Sequence, residues 1–273
     1  ILHRRACDPA MGQWLAACEG SELTADPATP EAANIRELRR DYDQAVKIPE
    51  ALAVALAQAA STGQRAWELA RKDNDFSAFA PHLQTLLDLS REKAQALGYQ
   101  TEAYDALLDL YEPGEKAAAI APVLAELRDA AVDILGRIKD APAPADLPDG
   151  PYDTAAQETL LRQVTALIGL SPTASRLDVS AHPFSTLIGP GDARITTRFD
   201  PADFTKAFFG AVHETGHALY SLGHVGNGHY GTPMGEPASF AVHESQSRLW
   251  ENQVARSLPF WRHVTPLAKA CFP

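Results

Sequence analysis

A chain of 273 residues with 45% hydrophobic and 22% charged side chains carries enough apolar material for one large core or two modest ones, which excludes wholesale disorder. A formal charge of −11 argues against a nucleic-acid partner, because displacing counterions from phosphates needs a basic face. Cys7, Cys18 and Cys271 are too few and too scattered for a disulfide framework or a thiolate metal knuckle, so a reducing cytoplasm is the expected compartment.

No run of about 18 apolar residues occurs, and the N-terminus lacks the basic, apolar and small-residue order of a signal peptide, so no membrane partner is expected. The chain opens on Ile1 and stops at Ala270-Cys271-Phe272-Pro273 after an unfinished amphipathic segment, so one end or both are read as cut.

From Pro30 to about Lys139 apolar residues return every three or four positions among Ala, Leu, Glu, Arg and Gln, which predicts long amphipathic helices. The first starts at Thr29-Pro30, a cap followed by a first-turn proline, and directs Ile35, Leu38, Tyr42 and Val46 inward. Pro49 opens a second, through Leu52, Leu56, Trp67 and Leu69. Others cover Phe76 to Leu97 and Glu115 to Ile138, with Gly98 as a stop and Glu112-Pro113-Gly114 as a turn. The prolines of Ala141 to Pro151 end the helical pattern, as a domain linker or a long surface loop. Helix resumes from Thr154 to Leu170. Between Leu177 and Phe199 β-branched residues and Gly-Pro-Gly punctuation predict a small hairpin or sheet. A helix follows from Pro201 to Leu222 after Asp200, then a glycine-rich loop to Gly235, then helix from Pro237 to about Ser257. The fold class expected is mainly α with a small β element at about 177–199.

Inside the Pro201 helix stands His213-Glu214-Thr215-Gly216-His217, an instance of His-Glu-x-x-His. Residues four apart lie one helical turn above each other, so both imidazoles can point at a common ion. Glu214, one step round, reaches a water on that ion rather than the ion itself. The flanking Phe208, Phe209, Val212, Ala218 and Leu219 suit a helix buried beneath a cleft. A satisfied pair of core histidines is the competing reading.

A catalytic zinc takes a third protein ligand and keeps one position open. Glu236 and Glu244 compete for that place. Glu236 precedes Pro237 at an expected helix start, where a carboxylate also serves the dipole. Glu244 falls inside the next helix, so a rigid element can aim it, and it is preferred. His243 beside it is read as a wall residue or an outer partner of the site.

In order along the chain come His182-Pro183-Phe184, Asp192-Ala193-Arg194-Ile195-Thr196, His213-Glu214-Thr215-Gly216-His217 and His243-Glu244-Ser245-Gln246, with Tyr104-Asp105-Ala106-Leu107-Leu108-Asp109 and Glu112-Pro113-Gly114 earlier. In these motifs the sequence resembles the thermostable carboxypeptidase Taq family of zinc metallocarboxypeptidases. The resemblance implies a mostly helical fold around a deep cleft, with residues 1–140 forming one side, 141–153 a loop or linker, and 154–273 a metal-site half truncated at its C-terminus. It implies zinc, replaceable by cobalt, held by His213, His217 and Glu244, with Glu214 as the general base. It further implies removal of single C-terminal residues from peptides, with proline disfavoured, and assembly as a homodimer. The strand at Asp192 to Thr197 would border the cleft with an edge able to pair with an extended peptide. His182 would lie nearby, as a substrate contact or a packing residue. Arg194 or Arg198 would meet the substrate carboxylate or serve as a salt-bridge partner.

The family's Ile-Arg-x-x-Ala-Asp and Gly-x-x-Gln-Asp-x-His-Trp motifs do not occur in this sequence. The chain alone is therefore expected to keep the metal geometry but to be weakly active or inactive. Two other readings compete: an endopeptidase using the same metal chemistry, and a helical scaffold without catalysis.

Overall fold

A computed structural model of the chain describes residues 1–143, 145, 148 and 150–272. They form two compact units, Ile1–Pro142 and Ala143–Pro273.

The first unit is helical throughout its described elements: α1 (Leu2–Ala6), α2 (Pro9–Glu19), α3 (Pro30–Lys47), α4 (Glu50–Asp73), α5 (Phe76–Leu97), α6 (Ala103–Leu108) and α7 (Ala117–Ile138). Local chemistry sets these ends. The Thr29 hydroxyl accepts the Ala32 N–H at the start of α3, and Asp75 accepts the Ala78 N–H at the start of α5. Gly98 stops α5 at φ +85°, a backbone region that a β-carbon disfavours. The expected inward stripe of α3 holds only in part: Ile35 is buried and Tyr42 half-buried, whereas Leu38 and Val46 are exposed, because α3 is covered along a narrower strip than its periodicity offers. Leu69 of α4 is likewise exposed.

The second unit contains α8 (Thr154–Leu167), a three-stranded sheet of β1 (Ser175–Val179), β2 (Ser185–Gly189) and β3 (Asp192–Thr197), then α9 (Phe204–Val225), α10 (Phe240–Arg248) and α11 (Leu258–Cys271). Four of the residues expected in the 141–153 connection, at 144, 146, 147 and 149, lie outside the described residues, as does Pro273. The sheet order is β1-β3-β2, parallel between β1 and β3 and antiparallel between β2 and β3. β3 is thus the central strand, hydrogen-bonded on both sides. The free edge expected of Asp192 to Thr197 belongs instead to β1 and β2.

Three boundaries differ from the sequence reading. The helix after the sheet begins at Phe204, capped by Asp203, rather than at Pro201 after Asp200, because Asp203 is still extended and its carboxylate accepts the Thr205 N–H. It then runs past Gly223 to Val225. The next helix begins at Phe240 behind a Ser239 cap, and its continuation widens into a π-helical stretch at Leu249–Val254 before α11 starts afresh behind Ser257.

The core of this unit is built on α9. Phe208 is fully buried, its ring 5.0 Å from Trp261 and 5.4 Å from Phe209. Leu160, Leu161 and Val164 of α8, Ile195 of β3 and Val264 of α11 close round it. Each such large apolar side chain contributes about 1.5–3 kcal/mol by leaving water. Thr197 donates its hydroxyl to the Ala207 carbonyl, tying the end of β3 to the first turns of α9.

Candidate metal centre

The same helix that is anchored by Phe208 carries His213 and His217, and their rings stand 4.9 Å apart on successive turns. α10 supplies Glu244 opposite them. One carboxylate oxygen, Oε2, lies 3.6 Å from His213 Nε2 and 3.3 Å from His217 Nε2. One donor atom from each of the three residues falls within 4.8 Å of the others, the group among the described residues that can hold a metal ion.

The donor set fits a zinc-sized ion. With metal–ligand bonds of about 2.0–2.1 Å, the edge of a tetrahedron is roughly 3.3 Å, close to the separations between Oε2 and the two ring nitrogens. Two imidazoles and one carboxylate also leave a fourth position open.

The far sides of the rings are engaged. His213 Nδ1 is 2.9 Å from Glu251 Oε2, and His217 Nδ1 meets His243 Nδ1. An imidazole that gave Nε2 to an ion would keep its proton on Nδ1, and His217 would then donate to His243. His243 would in turn carry its own proton on Nε2, which lies 3.3 Å from the Ser221 hydroxyl. The second oxygen of Glu244, Oε1, accepts from Arg248 Nε at 2.8 Å, which leaves Oε2 turned toward the histidines.

Electrostatics follow from the packing. Glu214 is buried, and this burial, reinforced by the neighbouring Glu244 carboxylate, pushes its carboxyl up to about 7. His217 is pushed down to about 4, first by burial and then by His243 and His213. Burial also raises Glu244, but the Arg248 hydrogen bond and the His213 ring outweigh it and leave the carboxyl below its ordinary range.

The remaining sequence candidates lie elsewhere. Glu236 is exposed after a short turn at Pro233–Gly235 and does not join the group. His182 is exposed, its Nδ1 2.7 Å from the Pro183 carbonyl oxygen. Pro183 itself abuts α9 at Gly210, three residues before His213: a β-carbon at Gly210 would lie 3.8 Å from the proline ring. Arg194 forks onto Asp192 at 2.5 and 2.8 Å. Among the described residues neither His182 nor Arg194 bonds to the imidazoles or to Glu244. Sequence reasoning missed Glu251 and Arg248, although seven residues from Glu244 to Glu251 is two helical turns, and that spacing was the available signal.

A helical unit in which a His-Glu-x-x-His turn meets a carboxylate from the following helix is of the metallopeptidase class. The chain belongs to the carboxypeptidase Taq (M32) metallopeptidase family, whose sequence pattern matches residues 1–273. It is 44% identical to Thermostable carboxypeptidase 1 of Thermus thermophilus, over 100% of this chain and 55% of that protein. The solved structure of Pyrococcus furiosus carboxypeptidase superposes with a TM-score of 0.86 at 33% identity, covering 99% of this chain and 55% of the other. The M32 carboxypeptidase from Deinococcus radiodurans gives 0.82 at 33% identity, covering 98% and 55%. The chain therefore spans about half the length of the relatives it matches. No helix among the described residues is long and apolar enough to cross a membrane.

Proposed function

We propose that this chain carries the metal site of a zinc-dependent metallocarboxypeptidase, with His213, His217 and Glu244 as ligands and Glu214 as general base. The observation that carries the reading is the convergence of both Nε2 atoms on Glu244 Oε2 at 3.6 and 3.3 Å. His213, His217 and Glu244 would hold zinc, or cobalt in its place, which would supply a water of lowered pKa and a Lewis acid for the carbonyl. The chain's own residues do the rest. Glu214, adjacent in sequence to a ligand and displaced round the helix from it, accepts the water proton and later returns it to the leaving amine. Its carboxyl, buried beside Glu244, is tuned toward neutral pH. His243 and Glu251 hold the ligand rings by their outer nitrogens.

An extended peptide would add to the sheet at β2, an edge strand whose next neighbour is β3. His182, in the turn before β2, and Arg194 on β3 are the substrate-side candidates; Arg194 would exchange Asp192 for the substrate's terminal carboxylate. The substrates are peptides, the compartment the cytoplasm and the assembly a homodimer, readings supported by the sequence and the family resemblance.

Metal analysis of this chain and of its Glu214→Gln variant, paired with hydrolysis of a short peptide with free or blocked C-terminus by both proteins extended to the length of the relatives, tests the proposal. One zinc in both proteins, with turnover of the free peptide in the wild type alone, is expected; a Glu214→Gln variant as active as the wild type rejects it. The engagement of Arg194 by Asp192 favours a second reading, an endopeptidase without a carboxylate-binding cation. Product masses from a long peptide separate the two, since single-residue losses mark the carboxypeptidase and internal cuts the alternative.

A further inference from the structure

Glu251 stands behind the metal centre. It lies in the π-helical stretch at Leu249–Val254, seven residues beyond Glu244, where the wider turn changes the direction in which side chains leave the helix. π-helical turns recur at functional sites, where they redirect one side chain without breaking the helix. Here the stretch presents Glu251 to α9, and its side chain is only 14% exposed.

Both oxygens of Glu251 are committed. Oε2 receives His213 Nδ1 at 2.9 Å and Arg248 Nη1 at 3.3 Å, and Oε1 receives Arg256 Nη2 at 3.0 Å. The Arg256 guanidinium is itself seated 4.0 Å above the Phe209 ring, on the helix that carries the histidines. Arg248 also holds Oε1 of Glu244, so a single cation spans the acid facing the imidazoles and the acid behind one of them.

An ionised carboxylate only accepts hydrogen bonds. With Glu251 opposite Nδ1, His213 keeps its proton there and turns the lone pair of Nε2 toward Glu244 Oε2. Two electron-rich atoms 3.6 Å apart repel unless a cation lies between them.

We propose that Glu251 is the positioning residue of the metal centre: by accepting the Nδ1–H of His213 it selects the tautomer and the direction of Nε2, while Arg256 and Arg248 hold its carboxylate in place. This rests on the metal-site reading above. Removing such an outer partner of a ligand histidine typically weakens metal binding 10–100-fold.

The test titrates metal-stripped wild type, Glu251→Gln and Glu251→Ala with zinc against a chromophoric chelator. It also records the cobalt visible spectrum, the ¹⁵N shifts of the His213 ring without metal, and the melting of each metal-free protein. Glu251→Ala should bind zinc about 10–100-fold more weakly, alter the cobalt spectrum and lose the fixed Nδ1–H tautomer. Glu251→Gln, which keeps an acceptor without the charge, should restore the spectrum and part of the affinity. Unchanged zinc affinity and tautomer in either folded variant overturn the inference, and Glu251→Gln decides alone if the alanine variant does not fold. A wild-type protein that takes up no zinc overturns the metal-site reading itself, an outcome visible in the wild-type titration before any variant is compared.

Discussion

Gly216 and Ser247 meet with no room for a side chain between them: a β-carbon on Gly216 would lie 2.6 Å from Ser247 Cα and 2.7 Å from the Gln246 carbonyl oxygen. These atoms are backbone and cannot swing aside. The contact brings α9 and α10 together between His213 and His217 on one side and beside Glu244 on the other, so the glycine sets the distance across which the three donors face each other.

Gly216→Ala therefore sets two effects against each other. Alanine stabilises a helix interior by about 1 kcal/mol relative to glycine, whereas overpacking costs about 1–3 kcal/mol. Because the clash is with backbone, the second effect should win, with a net loss of up to about 2 kcal/mol in denaturant unfolding and weaker zinc binding. Wild-type stability with unchanged zinc affinity would show that the two helices separate freely.

Glu214→Gln should keep stoichiometric zinc, because Glu214 is not among the converging donors, and lose turnover by roughly 10²–10⁴-fold. Steady-state kinetics on a C-terminally free peptide, with both proteins extended to the length of the relatives and metal content measured on the same sample, check this. Retained turnover would move the proton transfer to another group.

The pH dependence of stability in the metal-free protein has a defined sign. Glu214 is raised from 4.5 to about 7, so its contribution is full below pH 4.5 and is lost as pH rises to 7. His217 is lowered from 6.5 to about 4, so its contribution is full above pH 6.5 and is lost as pH falls to 4. The two slopes oppose each other between about pH 4.5 and 6.5. Of these two slopes, Glu214→Gln keeps that of His217. The variant should gain on the wild type with rising pH, by about 3 kcal/mol at pH 8. Chemical denaturation at intervals from pH 4.5 to 8 measures the difference; a gap that does not grow with pH contradicts the burial of the Glu214 carboxyl.

Glu244→Gln and Glu236→Gln form a matched pair. The first removes the charged acceptor facing both imidazoles and should abolish tight zinc binding. The second alters an exposed residue outside the group and should leave zinc affinity within about twofold. Isothermal titration of both variants reads the contrast.

Phe208→Ala tests the anchor of the metal-bearing helix. Removing a fully buried phenyl ring from the cluster with Trp261 and Phe209 should cost about 3–5 kcal/mol. A loss under 1 kcal/mol would mean that the cluster collapses into the space.

Local features of the chain were readable before any coordinates. The start of α3 and the end of α5 follow from Thr29 and Gly98, because caps and stops act within one helical turn. The stacking of His213 over His217 follows from four-residue spacing alone. The start of α9 was misjudged by three residues because Asp200 and Asp203 are equally good caps, and the choice between them depends on backbone geometry rather than composition.

What needed tertiary structure is everything that depends on two segments meeting. Periodicity marked Leu38 and Val46 as inward, yet only packing decides how wide a strip is covered, and they remain exposed. Strand order placed β3 between β1 and β2, which no single strand's sequence reports. That Glu244 and not Glu236 faces the imidazoles, and that Glu251 stands behind His213, is decided by the close approach of α9 to α10 at Gly216 and by the π-helical turn after Arg248. Sequence determines chemistry along one turn of chain, where covalent spacing fixes direction; across turns from different helices, direction comes from packing.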